Sequence, residues 1–179
     1  IMGEACGVVV LDSRSTVRPD YDDFRILGGA NACDTNNVAL HNTDGGAVAG
    51  VMAAAMTATG LSPRDIVAVK AHATGSYHND LTEACAIRRV FGDSPPPVTG
   101  LKPYVGHTVG ASGVTEMILF TEAVRRGVIP ATPGFEVPDE ALGLMPETEN
   151  RPAYRGAYML NYFGFGGNCT TLIVANTKG

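Results

Sequence analysis

Short apolar runs recur along this 179-residue chain and alternate with longer segments of helical pattern. Runs of this length, bounded by glycine, proline or polar residues, are typical of buried strands. Six segments meet that description: Val8–Leu11, Phe24–Ala30, Ile66–Ala71, Val98–Leu101, Ala157–Asn161 and Thr170–Ala175. We expect Ile66–Ala71 to be a central parallel strand, and the polar segment 14–23 to be a loop.

Helices are predicted in three segments between these strands: Val48–Met56, Asp80–Phe91 and Val114–Arg125. Asp44 is the expected N-cap of the first helix, and Gly60 and Gly92 follow the ends of the first two. Five prolines between Gly127 and Arg155 predict a long irregular connection before the last two strands. The whole pattern indicates a mixed α/β sheet protein.

Composition and charge narrow the function. A hydrophobic content of 45% suffices for one domain over residues 1–179. The net charge is −5, without a long block of either sign, so we expect no nucleic-acid partner. No apolar run approaches the roughly 20 residues that span a bilayer, and the sequence starts without a secretory pattern. A cytoplasmic protein acting on small molecules or proteins is the expectation.

The four cysteines stand far apart, without a CxxC pair. We therefore expect reduced thiols and no metal site. Cys6 and Cys169 fall in predicted strand regions, where small core residues are expected. Cys33 and Cys85 have no motif near them.

His72 and His107 each follow a predicted strand. In open α/β sheets reactive groups collect at such strand ends, because loops converge there while the sheet holds them rigid. One histidine in this place is more often structural, but two in equivalent places indicate a shared site. Ala71–Ser76 would leave room for a ligand and offer it hydroxyls, although a glycine turn with solvated hydroxyls explains the same residues.

The segment from Lys102 to Gly113 surrounds the second histidine with small residues. A phosphate loop is the rival interpretation, but the order GxxxxGK[ST] is absent. Glu116 falls in the first turns of the following helix, where it could pair with Lys102, or it could be an ordinary exposed glutamate. Asn161–Asn168 alternates aromatic residues with glycines, which suits either a backbone that points amides at a reacting oxygen or a glycine-rich hairpin.

Four blocks follow one another in order: Gly3-Glu4-x-x-Gly7, His72-x-Thr74-Gly75, Lys102-x-x-x-Gly106-His107-x-x-Gly110-Ala111-x-Gly113, and Phe163-Gly164-Phe165-Gly166-Gly167. With these blocks the chain, from Gly3 to about Val174, resembles the β-ketoacyl-acyl-carrier-protein synthases. The resemblance implies an α/β thiolase-like fold. Residues 1–179 would be its C-terminal half, with a mixed five-stranded sheet packed between helix layers.

The resemblance also implies a Cys-His-His condensing site, in which a malonyl carrier loses carbon dioxide and the resulting enolate attacks an acyl thioester held on cysteine. His72 and His107 would be neutral imidazoles that donate N–H bonds to the malonyl thioester oxygen. Lys102 would supply positive potential, with Glu116 as its partner. Phe165 would contribute its backbone amide to the acyl oxyanion hole.

The remaining matched positions concern the substrate arm. The rings of Phe163 and Phe165 would gate the acyl pocket, and Thr74 and Ser76 would hydrogen-bond phosphopantetheine. No cofactor of its own is implied, since the acyl carrier protein carries the substrates. The carrier protein is thus an expected partner.

Asp80 and Glu83 match supporting positions, for which we expect a structural role. Four residues depart from the family pattern. Ala73 replaces the usual glycine after the first histidine, Ser76 replaces a threonine, and Leu101 and Pro103 flank Lys102 where threonine and serine are usual. These departures bear on the geometry around pantetheine and on the choice of carrier.

The family's nucleophilic cysteine lies in the first half of the fold, which this chain does not contain, and none of its four cysteines is a convincing substitute. The chain would then need that complementary N-terminal half, because an isolated second half exposes a large apolar face. A fragment, a cleaved enzyme and a natural split remain open. We expect a homodimer or heterodimer, and a free-standing enzyme rather than an internal module.

Three other functions stay open. A thiolase-type acyltransferase uses cysteines and histidine on the same fold, but the Lys102–His107 interval and the Phe163–Gly167 block favour synthases. A non-catalytic chain-length-factor-like subunit would keep the fold, although both histidines and the lysine are retained here. A module that only binds acyl carriers or acyl-CoA is the third alternative.

Overall fold

The computed structural model describes residues 1–13, 24–37 and 39–177, so the predicted loop 14–23 lies outside the described residues. Within these ranges the strands are β1 (Phe24–Cys33), β2 (Ile66–Ala71), β3 (Val98–Gly100), β4 (Val128–Ile129), β5 (Arg151–Pro152), β6 (Gly156–Gly164) and β7 (Asn168–Asn176). The α-helices are α1 (Gly46–Thr59), α2 (Tyr77–Phe91), α3 (Lys102–Val105) and α4 (Ser112–Arg125).

Five strands form one mixed sheet in the order β1-β7-β6-β2-β3. Strand β2 runs parallel to β3 and to β6, whereas β6 and β1 both pair antiparallel with β7. The predicted central parallel strand at Ile66–Ala71 is confirmed. Within the proline-rich connection, β4 and β5 form a separate antiparallel pair.

Helices cover both faces of this sheet, as predicted. On one face, Met52 of α1 and Ile87 of α2 pack with Met159 of β6 in an apolar core. On the other face, Phe120 of α4 packs edge-on against Tyr158 of β6, with 5.6 Å between ring centroids. Because successive strand side chains point to opposite faces, adjacent residues of β6 serve different cores. This double burial explains why β2 and β6 are apolar apart from Lys70 and Asn161.

The helix ends show why the predicted boundaries hold. Helix α1 begins after Gly45, which is in the left-handed region at φ 70°, and the amide of Gly46 donates to Asp44 Oδ1 at 2.7 Å. The N-cap is therefore Gly45 and not the predicted Asp44, whose side chain caps the helix end from one position earlier. Gly60, at φ 69°, ends the same helix. None of the helices in the described ranges has the length and apolar character that a membrane crossing requires.

The first apolar segment is the exception. Val8–Leu11 forms no strand, and Val8 and Val10 are 80% and 91% exposed. The predicted buried strand is wrong for this chain, and so is the predicted core position of Cys6, which is exposed. A buried strand needs a ladder partner and a covering layer, and the five-stranded sheet already ends at β1 without including this segment.

Candidate active site

His72 lies directly after the carboxyl end of strand β2. The alternation of side chains along this strand puts Lys70 and His72 on one face and Ala71 on the other. Glu83 of α2 holds the turn that follows, because its Oε1 accepts the His72 amide at 2.9 Å and its Oε2 accepts the Ala73 amide at 3.0 Å. The carboxylate thus fixes the backbone on which the first imidazole stands.

Helix α3 and the glycine after it deliver His107. Gly106 has φ 75°, and a Cβ there would lie 2.8 Å from the backbone nitrogen of Gly3. The close approach lets the first residues pair with this loop, since the His107 amide donates to the Ile1 carbonyl at 3.0 Å and the Gly3 amide donates to the His107 carbonyl at 3.1 Å. A side chain at position 106 would disrupt both contacts.

The two imidazoles come together. The ring centroids of His72 and His107 lie 5.7 Å apart at an interplanar angle of 88°. The Phe163 ring lies 5.0 Å from the His72 ring on another side. His72 is buried, whereas His107 is partly exposed. Residues from β2, from the loop after α3 and from β6 therefore form one cluster.

A buried ion cluster supports these rings, and we define it as Lys70, Lys102 and Glu116. Glu116 Oε1 accepts a hydrogen bond from Lys102 Nζ at 2.7 Å, and its Oε2 accepts one from Lys70 Nζ at 2.6 Å. Lys102 Nζ also donates to the His72 carbonyl and lies 3.3 Å from His72 Nδ1. The Lys102–Glu116 contact matches the expected pairing, while the second lysine was not foreseen.

The ion cluster determines the charge and tautomer of the first histidine. Burial, followed by the charges of Lys102 and Lys70, lowers the pKa of His72 to about 2. Because an ammonium only donates, His72 Nδ1 must accept from Lys102, which leaves the ring proton on Nε2. Burial, followed by Lys102, also lowers the pKa of His107. Both rings are neutral at neutral pH.

Ser112 connects the cluster to the second ring. Its Oγ lies 2.6 Å from Glu116 Oε1 and 3.4 Å from His107 Nδ1. The serine is the first residue of α4, one turn before the glutamate, so a single helix end places both groups. This residue was not among the sequence predictions.

The glycine-rich turn after β6 separates its two phenylalanines. Phe163 is buried against His72 and also lies 5.4 Å from the His41 ring, whereas Phe165 is 83% exposed. Gly167, at φ 77°, is required by crowding, since a Cβ there would lie 1.9 Å from the Asp34 carbonyl oxygen. The turn therefore presents the Phe165 segment outward from a rigid base.

Thr74 and Ser76, which are predicted to bind pantetheine, lie on the turn between β2 and α2, and the predicted supporting residues Asp80 and Glu83 lie in α2. Thr74 Oγ1 accepts the Ser76 amide at 3.3 Å, and Ser76 is exposed. Burial, followed by the charge of Glu83, raises the pKa of Asp80 to about 6. Ala73, which stands where glycine was expected, has a positive φ of 44°.

All four cysteines are free, as predicted. Cys169 is buried, as predicted, and its Sγ lies 3.4 Å from His41 Nδ1. Burial, followed by the charge of Asp34, raises the pKa of this thiol to about 11. A thiol that stays protonated at neutral pH is a poor nucleophile, so this environment does not favour Cys169 in that role.

Several functional groups escaped the sequence reasoning, above all Lys70 and Asn161. Asn161 Nδ2 donates to Glu83 Oε1 at 3.1 Å, and its Oδ1 accepts from Thr171 Oγ1 at 2.8 Å. The available signal for Lys70 was a charged residue inside an otherwise apolar strand, two positions before His72. Such a residue must be paired when buried, which marks it for attention.

The fold defines the class of protein. A mixed five-stranded sheet between helix layers, with two histidines beyond its strand ends, is a thiolase-like fold. The model of the β-ketoacyl synthase C-terminal domain matches residues 24–136. The chain belongs to the β-ketoacyl synthase family, and it carries the C-terminal domain. The same domain was predicted from the four sequence blocks.

Individual relatives agree. The chloroplastic 3-oxoacyl-[acyl-carrier-protein] synthase II of Arabidopsis thaliana is 30% identical over 186 residues, which cover 99% of this chain and 34% of the plant protein. The 3-oxoacyl-[acyl-carrier-protein] synthase 2 of Mycobacterium tuberculosis is 36% identical over 171 residues, covering 94% of this chain and 41% of the relative. The chain thus spans well under half the length of either relative.

A solved structure described as the ishigamide ketosynthase/chain length factor superimposes with a TM-score of 0.79 at 30% identity. The match covers 86% of this chain and 38% of that chain. The likeness extends over most of this chain, so the two proteins share this fold.

Proposed function

We propose that this chain is the C-terminal part of a 3-oxoacyl-[acyl-carrier-protein] synthase, an acyltransferase that condenses a malonyl carrier thioester with an acyl thioester in fatty-acid or polyketide assembly. The observation that carries the proposal is the pair of neutral imidazoles, 5.7 Å apart, backed by the buried Lys102–Glu116 ion pair. The names of the relatives supply the reaction class.

In the proposed reaction the bond between the malonyl carboxylate and the α-carbon breaks, carbon dioxide leaves, and the electron pair passes into the thioester as an enolate. His72 and His107 donate N–H bonds to the thioester oxygen as negative charge develops there. One well-placed donor of this kind is worth about 3 kcal/mol of the activation barrier. Lys102, held by Glu116, adds positive potential beside the first ring.

The two imidazoles differ in what fixes the N–H proton that each would donate. His72 already carries its proton on Nε2, because Nδ1 accepts from Lys102. For His107 to donate through Nε2, its Nδ1 must be unprotonated and accept a hydrogen bond, and the Ser112 hydroxyl lies 3.4 Å from it. The Ser112 proton must then turn from Glu116 to His107, so this serine belongs to the proposed proton arrangement.

The enolate carbon then attacks the acyl thioester, a carbon–carbon bond forms, and the cysteine thiolate leaves. In the proposal that cysteine belongs to a complementary N-terminal half, consistent with the protonated, buried state of Cys169. The Phe165 amide stabilises the acyl oxyanion, and the rings of Phe163 and Phe165 gate the acyl pocket. Phe163 is well placed for this, since it packs directly on His72.

The substrates arrive on the phosphopantetheine arm of an acyl carrier protein, without a further cofactor. Thr74 and the exposed Ser76 lie on the turn after His72 and would hydrogen-bond that arm, while Asp80 and Glu83 hold the turn from below. The exposed apolar segment Val8–Leu11 supports docking against the N-terminal half. The assembly would be a homodimer or a heterodimer.

A chain-length-factor-like subunit is the second candidate, because the matched solved structure contains a chain length factor beside its ketosynthase. Such a subunit would need the fold but not the chemistry. The retained histidine pair and ion cluster favour the catalytic subunit, since both are costly to maintain in a buried site without a function.

The test is malonyl decarboxylation by the full polypeptide that contains this chain. Carbon dioxide release from malonyl-acyl carrier protein is measured for the parent and for His107→Ala. We expect a loss on the order of 100-fold or more, because one oxyanion donor is removed. The matched control is His78→Ala, at an exposed histidine on α2. Equal rates for the parent and His107→Ala, or a parent that releases no carbon dioxide, would exclude the catalytic proposal.

A further inference from the structure

Lys70 is a fully buried cation at the centre of the sheet. Its side chain has 0% exposure, which is rare for lysine. Its Nζ donates to Glu116 Oε2 at 2.6 Å and to the Asn161 carbonyl at 2.9 Å, and it lies 3.8 Å from the centroid of the Tyr162 ring. Two anionic or carbonyl acceptors and one aromatic face therefore surround the ammonium.

The partners of Glu116 decide how much charge remains near the histidines. Its Oε1 faces Lys102, and its Oε2 faces Lys70. One carboxylate thus serves two ammonium groups, so the ion cluster carries a net charge of +1. A further carboxylate, Glu83, is hydrogen-bonded to two backbone amides and to Asn161 rather than to either lysine, although its charge also acts on Lys70.

We propose that Lys70 is a positioning residue for the condensation reaction: by occupying one oxygen of Glu116, it leaves Lys102 only partly neutralised beside His72. The inference rests on the proposed function. The excess positive charge stabilises negative charge on a substrate held by the two histidines. The positive charge also keeps His72 neutral, which is the state in which the ring acts in the proposed reaction.

The charge of Lys70 depends on pH within an accessible range. Burial, opposed by the charges of Glu116 and Glu83 and reinforced by the charge of Lys102, lowers the pKa of Lys70 to about 8. Tyr162 and the neutral His72 and His107 complete the groups that face the site. As the pH rises through about 8, the ammonium loses its proton, and Glu116 then neutralises Lys102 more fully.

The experiment compares the full polypeptide with Lys70→Met and with Lys70→Met/Glu116→Gln. The single variant changes the net charge of the cluster from +1 to zero, and the double variant returns it to +1 through Lys102 alone. For decarboxylation of malonyl-acyl carrier protein we expect kcat to fall about tenfold in the single variant, with KM within about twofold. The double variant should recover a large part of that loss.

The pH profile gives a second readout. The parent should lose activity as the pH rises through about 8, and Lys70→Met should lack that decline. If Lys70→Met does not fold, Lys70→Gln serves, because it keeps a donor to the Asn161 carbonyl. A single variant as active as the parent, or a double variant slower than the single one, would overturn the positioning role.

Unfolding by urea separates this proposal from the proposed function. The pKa of Lys70 is lower in the folded state than its usual value of 10.5, so the unfolded chain binds more protons between pH 8 and 10.5. The parent should therefore gain stability relative to Lys70→Met across that range. An inactive parent that shows this gain contradicts the condensation but not the buried cation, whereas parallel pH curves contradict the buried cation itself.

Discussion

The two faces of the central sheet are built for different purposes. On the face covered by α1 and α2, buried aliphatic side chains such as Val69 and Ile87 pack into an apolar core. On the α4 face, the same strand β2 carries Lys70, which belongs to the ion cluster, and His72 of the histidine pair directly follows the strand. One strand thus supplies both faces by simple alternation.

The difference teaches where stability and chemistry reside. The apolar face stabilises the fold by removing apolar surface from water, and it requires close packing but no specific pairing of groups. The polar face places charges in a buried environment, where each depends on its partner. Apart from Phe163, which packs on His72, substitutions on the first face should therefore change stability alone. Substitutions on the second face should change both stability and activity.

Glu116→Ala is expected to have the largest effect. It leaves Lys70 and Lys102 buried without their shared carboxylate, so unfolding free energy should fall by about 3–5 kcal/mol. The measurement is urea unfolding of the full polypeptide, followed by circular dichroism. Glu122→Ala is the matched control on the same helix: its exposed pairs with Arg125 and Arg126 should contribute nothing measurable. Equal losses in both variants would contradict the special status of the polar face.

Ile87→Ala probes the apolar face. The side chain is fully buried on α2, so its truncation should lower unfolding free energy by about 2–4 kcal/mol through lost burial and a cavity. The kcat of the protein that remains folded should match the parent, because Ile87 packs in the apolar core and belongs to neither the histidine pair nor the ion cluster. A tenfold fall in kcat at temperatures well below unfolding would break the proposed division between the faces.

The contrast also explains what the sequence could predict. Most strands and the helices followed from local periodicity and glycine signals. The Lys102–Glu116 pair was one of two interpretations of Glu116 and was implied by the resemblance to the synthases. Lys70 was missed because Ile66–Ala71 is buried on both faces, so alternation in the sequence does not show which side chains share a face with His72. Val8–Leu11 was wrongly predicted as a buried strand, because an apolar composition indicates burial but does not show which part of the structure would cover the segment.

Asp80 should have a smaller effect on stability, and the direction of that effect with pH follows from its raised pKa. Burial raises its pKa to about 6, above its usual value of 3.8, so the folded state binds more protons between these values. Stability from this group should therefore fall as the pH rises from about 4 to 6. Asp80→Asn should remove that dependence and, after allowance for solvent screening, stabilise the protein by about 1 kcal/mol at pH 7. Urea midpoints at pH 4 and pH 7 measure it, and an unchanged difference between the two midpoints would contradict the raised pKa.

Ala73→Gly should have the smallest effect and the opposite sign to the core substitutions. Ala73 lies where β2 leaves the sheet, and its positive φ of 44° is strained for alanine but not for glycine. Because glycine also raises the entropy of the unfolded chain, the net gain in unfolding free energy should be only about 0.5 kcal/mol. Ala71→Gly, two residues earlier in the regular strand, is the control and should instead destabilise by about 1 kcal/mol. Opposite signs at two alanines on either side of His72 would show that strain is confined to the turn that presents the imidazole, whereas a loss at both positions would mean that the turn is relaxed and that Glu83 alone holds it.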